Sequence, residues 1–295
     1  MPELSFVIPT HDRPDLLRIA VESVLAQTVT DLELIVVDDG STPPVDLDVD
    51  DARVRLLRTE GLGPSAARNV GLREAAGRFV VFVDDDDEIT ADMAEVSLEA
   101  IDSSSLPPPV AALSAVRMVS DEGTELGVRL PLTTRRGESY PLVHIPGRSQ
   151  LTHATVVVPT ETIRHIGGFD ELFRGSEHDD FFMRLSEVCS LQGIDHVTYV
   201  AHLHNGPRNS TRYATMAQAH CRFVDKHRDK LSPVEQERYL SIATWDFLSA
   251  GETWEARRTA WRASRLHRSR RSIRALVASA GGAGLYRRLR HTKDR

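Results

Sequence analysis

Cysteine is nearly absent: Cys189 and Cys221 are the only two in 295 residues. Neither sits in a CxxC or Cys/His metal spacing, which argues against a disulfide framework and a zinc ribbon. No apolar run approaches the ~18–20 residues of a transmembrane helix. The opening Met-Pro-Glu-Leu-Ser has no basic n-region and no apolar h-region. The expectation is therefore a chain without a signal peptide, at home in the cytoplasm. There is no clear internal repeat. What is present, 41% hydrophobic and 27% charged residues, is ordinary for a soluble globular protein and excludes collagen-like and wholly disordered classes. The length allows one or two domains of about 150 residues and a large core.

Charge is distributed unevenly. Net charge is −7, yet residues 257–295 hold 13 Lys and Arg against one acid, Asp294. A basic tail on an acidic body points to an anionic partner, or to a solvated helical face folded back on that body. Nucleic acid is not the expected partner, since the body is acidic and no binding motif appears.

Short apolar runs alternate with helical periodicity. Ser5–Ile8, Leu32–Val37 and Phe79–Val83 read as buried strands, and 53–58 as a more polar one. Helices are expected from Pro14, over 65–76 and, with Thr90 as its cap, on to about Asp102. That order predicts an α/β sheet, largely parallel, with helices on its faces and ligands beyond the carboxyl ends of its strands. Further on, 110–119 and 124–130 read as a hairpin. A strand is expected over 154–158, a short helix over 160–166, a helix over 177–191 and a strand over 195–201. Everything beyond Thr211 reads as helical, with Trp245, Trp254 and Trp261 as core anchors and Gly281–Gly284 interrupting the last helix.

Both acidic clusters fall at strand ends. Asp84-Asp85-Asp86-Asp87 closes an apolar run, and four adjacent carboxylates repel one another unless a cation or solvent relieves them. Alternation along a strand lets Asp84 and Asp86 converge on one ion, and oxygen ligands select Mg²⁺ or Mn²⁺. The other reading is a solvated acidic turn. Asp38-Asp39-Gly40-Ser41 reads either as a tight loop or as an acceptor for a nucleotide base or ribose. Gly61–Ala66 matches G-x-G-x-x-A, but the polar segment before it does not suit a central dinucleotide-fold strand.

Four motifs in order resemble the family 2 glycosyltransferases of GT-A fold: Phe6-Val-Ile-Pro-Thr10 with Arg13, Leu34-Ile-Val-Val-Asp-Asp-Gly-Ser41, Gly63-Pro-Ser-Ala-Ala-Arg-Asn-Val-Gly71, and Phe79-Val-Val-Phe-Val-Asp-Asp-Asp-Asp87. The resemblance continues through Gly167-Gly-Phe-Asp-Glu171 and fades after Thr211. It implies a Rossmann-like, mixed but mostly parallel sheet flanked by helices in residues 1–210 (a nucleotide-sugar half, 1–102, and an acceptor half, 103–210), followed by a helical extension, 211–295. It also implies inverting transfer from a nucleotide-sugar, UDP-sugar first among them, with Mn²⁺ or Mg²⁺. By that analogy Thr10, Arg13, Asp39, Arg68, Asp84 and Asp85 hold the nucleotide. Asp86 and Asp84 hold the metal, joined by His204.

The general base is where the chain departs from the family. Aligned without gaps, Glu177 takes the family's Glu, His178 stands at the base Asp, and Asp180 and Arg184 take the later Asp and Arg. Glu177, His178 and Asp179 are the candidates; an acidic helix start is also what the macrodipole favours by itself. His144 and His153 read as structural or acceptor-lining. Phe169, Phe173, Phe181 and Phe182 flank the acidic helix; most are expected in the core, with stacking of some on an acceptor sugar as the other reading.

The implied acceptor is a glycan, a cell-envelope polymer, a lipid-linked sugar or a natural-product hydroxyl, with the basic tail free to meet an anionic membrane surface from the cytoplasmic side. Oligomeric state is left open. The rivals are a non-catalytic scaffold of the same fold, an NAD-dependent dehydrogenase, an Asp-nucleophile phosphatase and a nucleotidyltransferase. The first would bind without turnover. The others differ in needing NAD, in releasing phosphate, or in releasing pyrophosphate.

Overall fold

The computed structural model describes residues 1–120, 122–138, 140, 156–203 and 213–290, with 282–290 as backbone only. They group into two compact units: Met1–Glu171 with Asp180–Asn205, and Leu172–Asp179 with Gly206–Arg295.

The first unit is built on a nine-stranded sheet. Strand β1 (Leu4–Thr10) is buried along its whole length because β2 (Leu32–Asp38) and β4 (Phe79–Phe82) flank it in parallel. A strand enclosed on both sides and both faces reads as a continuous apolar run. Between β1 and β2 runs α1 (Pro14–Leu25), opened by its proline and burying Leu17, Ala20, Val21 and Val24 at helical spacing. Polar β3 (Val54–Arg58) lies at the sheet edge, paired only with β2 among the described strands. Helix α2 (Pro64–Glu74) returns the chain to β4, and its Gly71 lies so close to Val7 that a Cβ would come within 2.3 Å of it. The order β3-β2-β1-β4 is parallel throughout, so Thr10, Asp38, Arg58 and the residues after Phe82 all emerge at one end.

Beyond β4 the sheet is mixed. Short β5 (Asp87–Ile89) precedes α3 (Met93–Asp102), whose N-cap is Asp92 rather than Thr90; Thr90 instead donates to the Asp92 carboxylate. Long β6 (Val110–Ser120) forms the expected hairpin with β7 (Glu125–Arg129). Strand β8 (Val156–Pro159) pairs antiparallel with β4 and leads into α4 (Thr160–His165). Helix α5 (Glu177–Val188), of which residues 177–179 are counted with the second unit, and β9 (Ser190–Leu203) complete the set. The expected helix over 177–191 overshoots, and the expected strand over 195–201 starts late. Ser190 and Leu191 already pair with Val110 and Ala111, and register shifts at Ser114–Val116 absorb the polar stretch that reads as a break. Phe169, Phe181 and Phe182 are buried as expected, Phe169 stacked on Phe181 with centroids 4.7 Å apart.

The second unit holds α6 (Tyr213–Lys226), α7 (Pro233–Ser249), α8 (Thr253–Leu266) and α9 (Arg270–Arg290). Ser232 and Glu235 form a reciprocal capping box at the start of α7. The core cluster is rich in small residues, Ala217, Ala243, Ala256 and Ala278 beside Phe247 and Leu248. Two expectations fail here. Helix α9 runs unbroken through Gly281–Gly284; glycine lowers helix propensity by ~1 kcal/mol each without removing a hydrogen bond. Trp254 and Trp261 are not core anchors: they are 71% and 54% exposed, while Ala256, Thr259, Ala260 and Ala263 fill the inward face of α8. Only Trp245 is packed against the cluster. In the same unit Phe173 is buried, with Arg222 and Lys226 over its ring.

Candidate active site

The carboxyl ends of β1, β2 and β4 gather the acidic clusters. After β2, Asp38 and Asp39 divide the work. Asp38 turns inward, accepting from the Ser41 and Val45 backbone N–H groups and pairing with Arg58. Burial opposes its ionisation, but bonds from Ser41 and Val45 and the Arg58 charge prevail and hold its pKa below the usual range. Asp39 accepts from the Thr59 hydroxyl and from the backbone N–H groups of Leu62 (2.8 Å) and Gly63 (2.7 Å). It therefore shapes the 59–63 loop around itself and keeps lone-pair capacity, since a carboxylate offers about four acceptor positions.

That close approach requires Gly40. Its φ is +82°, and an added Cβ would lie 2.8 Å from the Gly61 nitrogen. Gly40→Ala is expected to lower stability by about 2 kcal/mol through backbone strain. A urea midpoint equal to that of the parent would contradict this account of the loop.

After β4 the chain does not continue as a strand. Phe82 is its last strand residue, and 84–87 close as a turn in which the Asp87 N–H donates to the Asp84 carbonyl at 3.2 Å. The alternation argument for Asp84 and Asp86 thus does not apply. The turn instead folds Asp87 back, so that single carboxylate oxygens of Asp84, Asp86 and Asp87 lie within 4.8 Å of one another. Sequence reasoning missed Asp87, and also Tyr199, whose hydroxyl donates to Asp87 at 2.9 Å. The His202 backbone N–H holds the other Asp87 oxygen, and the His202 ring meets Glu88 at 2.6 Å. Nothing in the local sequence links Tyr199 to a turn 112 residues away.

Two arginines balance part of this charge. Arg13 reaches Asp85 at 3.1 Å and Asp86 at 2.9 Å. Buried Arg68 meets Asp84 at 2.7 Å and lies 5.5 Å from the centre of the Phe169 ring. Asp85 is the inward member: Thr10 donates to it at 2.7 Å, and burial, against the pull of Thr10 and Arg13, pushes its pKa up to about 6. Asp87 is pushed well above the carboxylate range by burial and then by the charges of Asp84 and Asp86. Three clustered hard oxygen donors, whose charge Arg13 and Arg68 offset only in part, fit a divalent cation such as Mg²⁺ or Mn²⁺. His204, expected to join them, lies outside the described residues, as do His144 and His153.

Asn69, on α2 beside Arg68, fastens the Gly167–Glu171 turn. Its side-chain nitrogen donates to the Phe169 carbonyl and to Glu171, both at 2.9 Å, and its oxygen accepts the Phe169 N–H at 2.8 Å. On α5, buried Asp180 pairs with Arg184 at 2.7 Å, and Arg184 donates to the carbonyls of Ile166 and Gly168. Within the second unit, Asp179 accepts from the Tyr239 hydroxyl at 3.0 Å, and the His178 ring lies 3.9 Å from Glu177.

The profile of glycosyl transferase family 2 matches residues 5–149. Residues 5–149 are a family 2 glycosyl transferase domain. A GalNAc(5)-diNAcBac-PP-undecaprenol beta-1,3-glucosyltransferase of Campylobacter jejuni is 41% identical over 96 residues, covering 30% of this chain and 31% of that one. The succinoglycan biosynthesis protein ExoO of Rhizobium meliloti is 34% identical over 122 residues, covering 40% and 35%. The matched stretch thus spans about a third of these two relatives. In structure, S. aureus TarS 1–349 in complex with UDP-GlcNAc superposes with a TM-score of 0.56 at 20% identity, over 94% of this chain and 79% of that one. The same protein in complex with UDP gives 0.58, over 97% and 91%. The fold is the expected GT-A architecture, a mixed sheet flanked by helices with a helical extension. In this domain the Gly61–Ala66 match follows the edge strand β3, not the central strand that a dinucleotide fold places before its glycine turn.

Proposed function

We propose that this protein transfers a sugar from a UDP-sugar to a hydroxyl of a cell-envelope glycan or lipid-linked acceptor, with inversion at the anomeric carbon. The observation that carries the reading is the Asp84, Asp86 and Asp87 cluster at the strand end shared with Thr10 and Asp39. Asp84, Asp86 and Asp87 would hold a divalent ion, which when bound neutralises charge on the departing diphosphate. Asp39 would accept from the base N–H, its carboxylate aimed by Thr59, Leu62 and Gly63. Arg68 and Arg13 orient the acidic turn.

His178 serves as base. It takes the acceptor hydroxyl proton as that oxygen bonds to the anomeric carbon and the carbon–oxygen bond to diphosphate breaks. The Asp180–Arg184 pair supports an ungapped register, which leaves His178 at the base position. The donor choice draws on the UDP and UDP-GlcNAc complexes of TarS, and the acceptor class on the relatives' names. No helix of the described residues is long and apolar enough to cross a membrane, and we place the protein on the cytoplasmic side.

Calorimetric titration of UDP tests the reading. Binding is expected with Mn²⁺ and is expected to fall sharply with EDTA. Failure of UDP, GDP and dTDP alike with metal present would overturn it.

A further inference from the structure

Helices α8 and α9 each turn an unusual face outward. On α8 the exposed stripe is Trp254, Arg258, Trp261 and Arg265, at helical spacing, with the Arg265 guanidinium 4.7 Å from the centre of the Trp261 ring. On α9 it is Arg270, Ile273, Arg274 and Val277. Both helices pack on α7 and on each other through their small residues, so the bulky apolar side chains are the ones left outside. Eight arginines and no acid fall between residues 257 and 281. Some are engaged, Arg262 with Asp225 and Arg271 near Glu237. Among the described residues no acid pairs with Arg265, Arg268, Arg270 or Arg274 within ion-pair distance.

We propose that the outward faces of α8 and α9 dock this protein on an anionic lipid surface. Tryptophan favours the headgroup boundary, branched aliphatic residues enter just below it, and arginine stems lie along apolar surface while their heads meet phosphate. Charge complementarity selects anionic over neutral lipid. A sugar polymer fits less well: these exposed stripes carry no Asp, Asn or Gln to bond hydroxyls, and Ile273 and Val277 offer a sugar nothing. A second copy of the chain would set arginine against arginine if the patch paired with itself. The proposal does not depend on the donor-site reading.

Co-sedimentation with vesicles tests it, comparing pure phosphatidylcholine with a mixture containing about one-third phosphatidylglycerol. Wild type is expected to bind the anionic vesicles, with a blue shift in tryptophan emission, and to leave neutral ones in solution. Trp254→Ser with Trp261→Ser should weaken partitioning at least ~10-fold. Arg265→Gln and Arg274→Gln should each weaken it about fivefold. Thermal midpoints should match wild type, since all four side chains are exposed; if the tryptophan pair perturbs folding, the arginine variants carry the test. No binding to anionic vesicles would overturn the proposal. So would binding indifferent to both sets of variants. A dimer seen by light scattering without lipid, and lost in the tryptophan variant, would reassign the face to self-association.

Discussion

Asp86→Ala is expected to lower sugar transfer by about 10²–10³-fold, the scale for removing one group that stabilises developing charge. The loss should appear in UDP binding too, and added Mn²⁺ should no longer strengthen that binding. The reason is local. Asp86 contributes one of three converging carboxylate oxygens while also receiving Arg13 at 2.9 Å. Its removal leaves Asp84 and Asp87 too few to enclose an ion, and frees Arg13 to shift toward Asp85. The neighbouring position gives the contrast. Asp85 is buried and spends its oxygens on Thr10 and Arg13, so Asp85→Ala should cost fold stability, about 2 kcal/mol for unpaired buried donors, before it costs metal response. Calorimetry with and without Mn²⁺, beside a thermal melt, separates the two. Full metal-dependent UDP binding by Asp86→Ala would remove the acidic turn from the donor site.

His178→Asn is expected to reduce kcat by about 10²–10⁴-fold while the donor KM stays within about twofold, as for a group that acts on the acceptor proton alone. His178→Asp should recover part of the rate, since a carboxylate at that position can also take the acceptor proton. Asp179→Asn should be milder, since its carboxylate is already engaged by the Tyr239 hydroxyl. A larger loss from Asp179→Asn than from His178→Asn would move the base one residue along α5. Tight UDP binding with no turnover toward any acceptor would favour the scaffold reading, in which His178 marks a lost base.

Much of this protein is legible in its sequence because the relevant physics is local. The apolar runs that become β1, β2 and β4 are short, bounded and buried on both faces, so burial alone selects strand. Pro14 and Pro64 open their helices at positions where no backbone donor is needed. Parallel pairing then brings Thr10, Asp38 and the acids after Phe82 to one end, and the alternation of elements already implied that arrangement.

Tertiary structure decided the rest. Asp87 joins Asp84 and Asp86 because the chain turns after β4, and the turn is held from β9 by Tyr199 and the His202 backbone, contacts no local window contains. Helix α8 carries two stripes of equal period, one of tryptophan and arginine and one of alanine and threonine. Periodicity shows both and size favours the first. The close approach of α7 and α9 to α8 leaves room only for the small stripe, so the large rings face outward. Which face a helix buries is set by the space its neighbours leave, and that is a property of the packed chain.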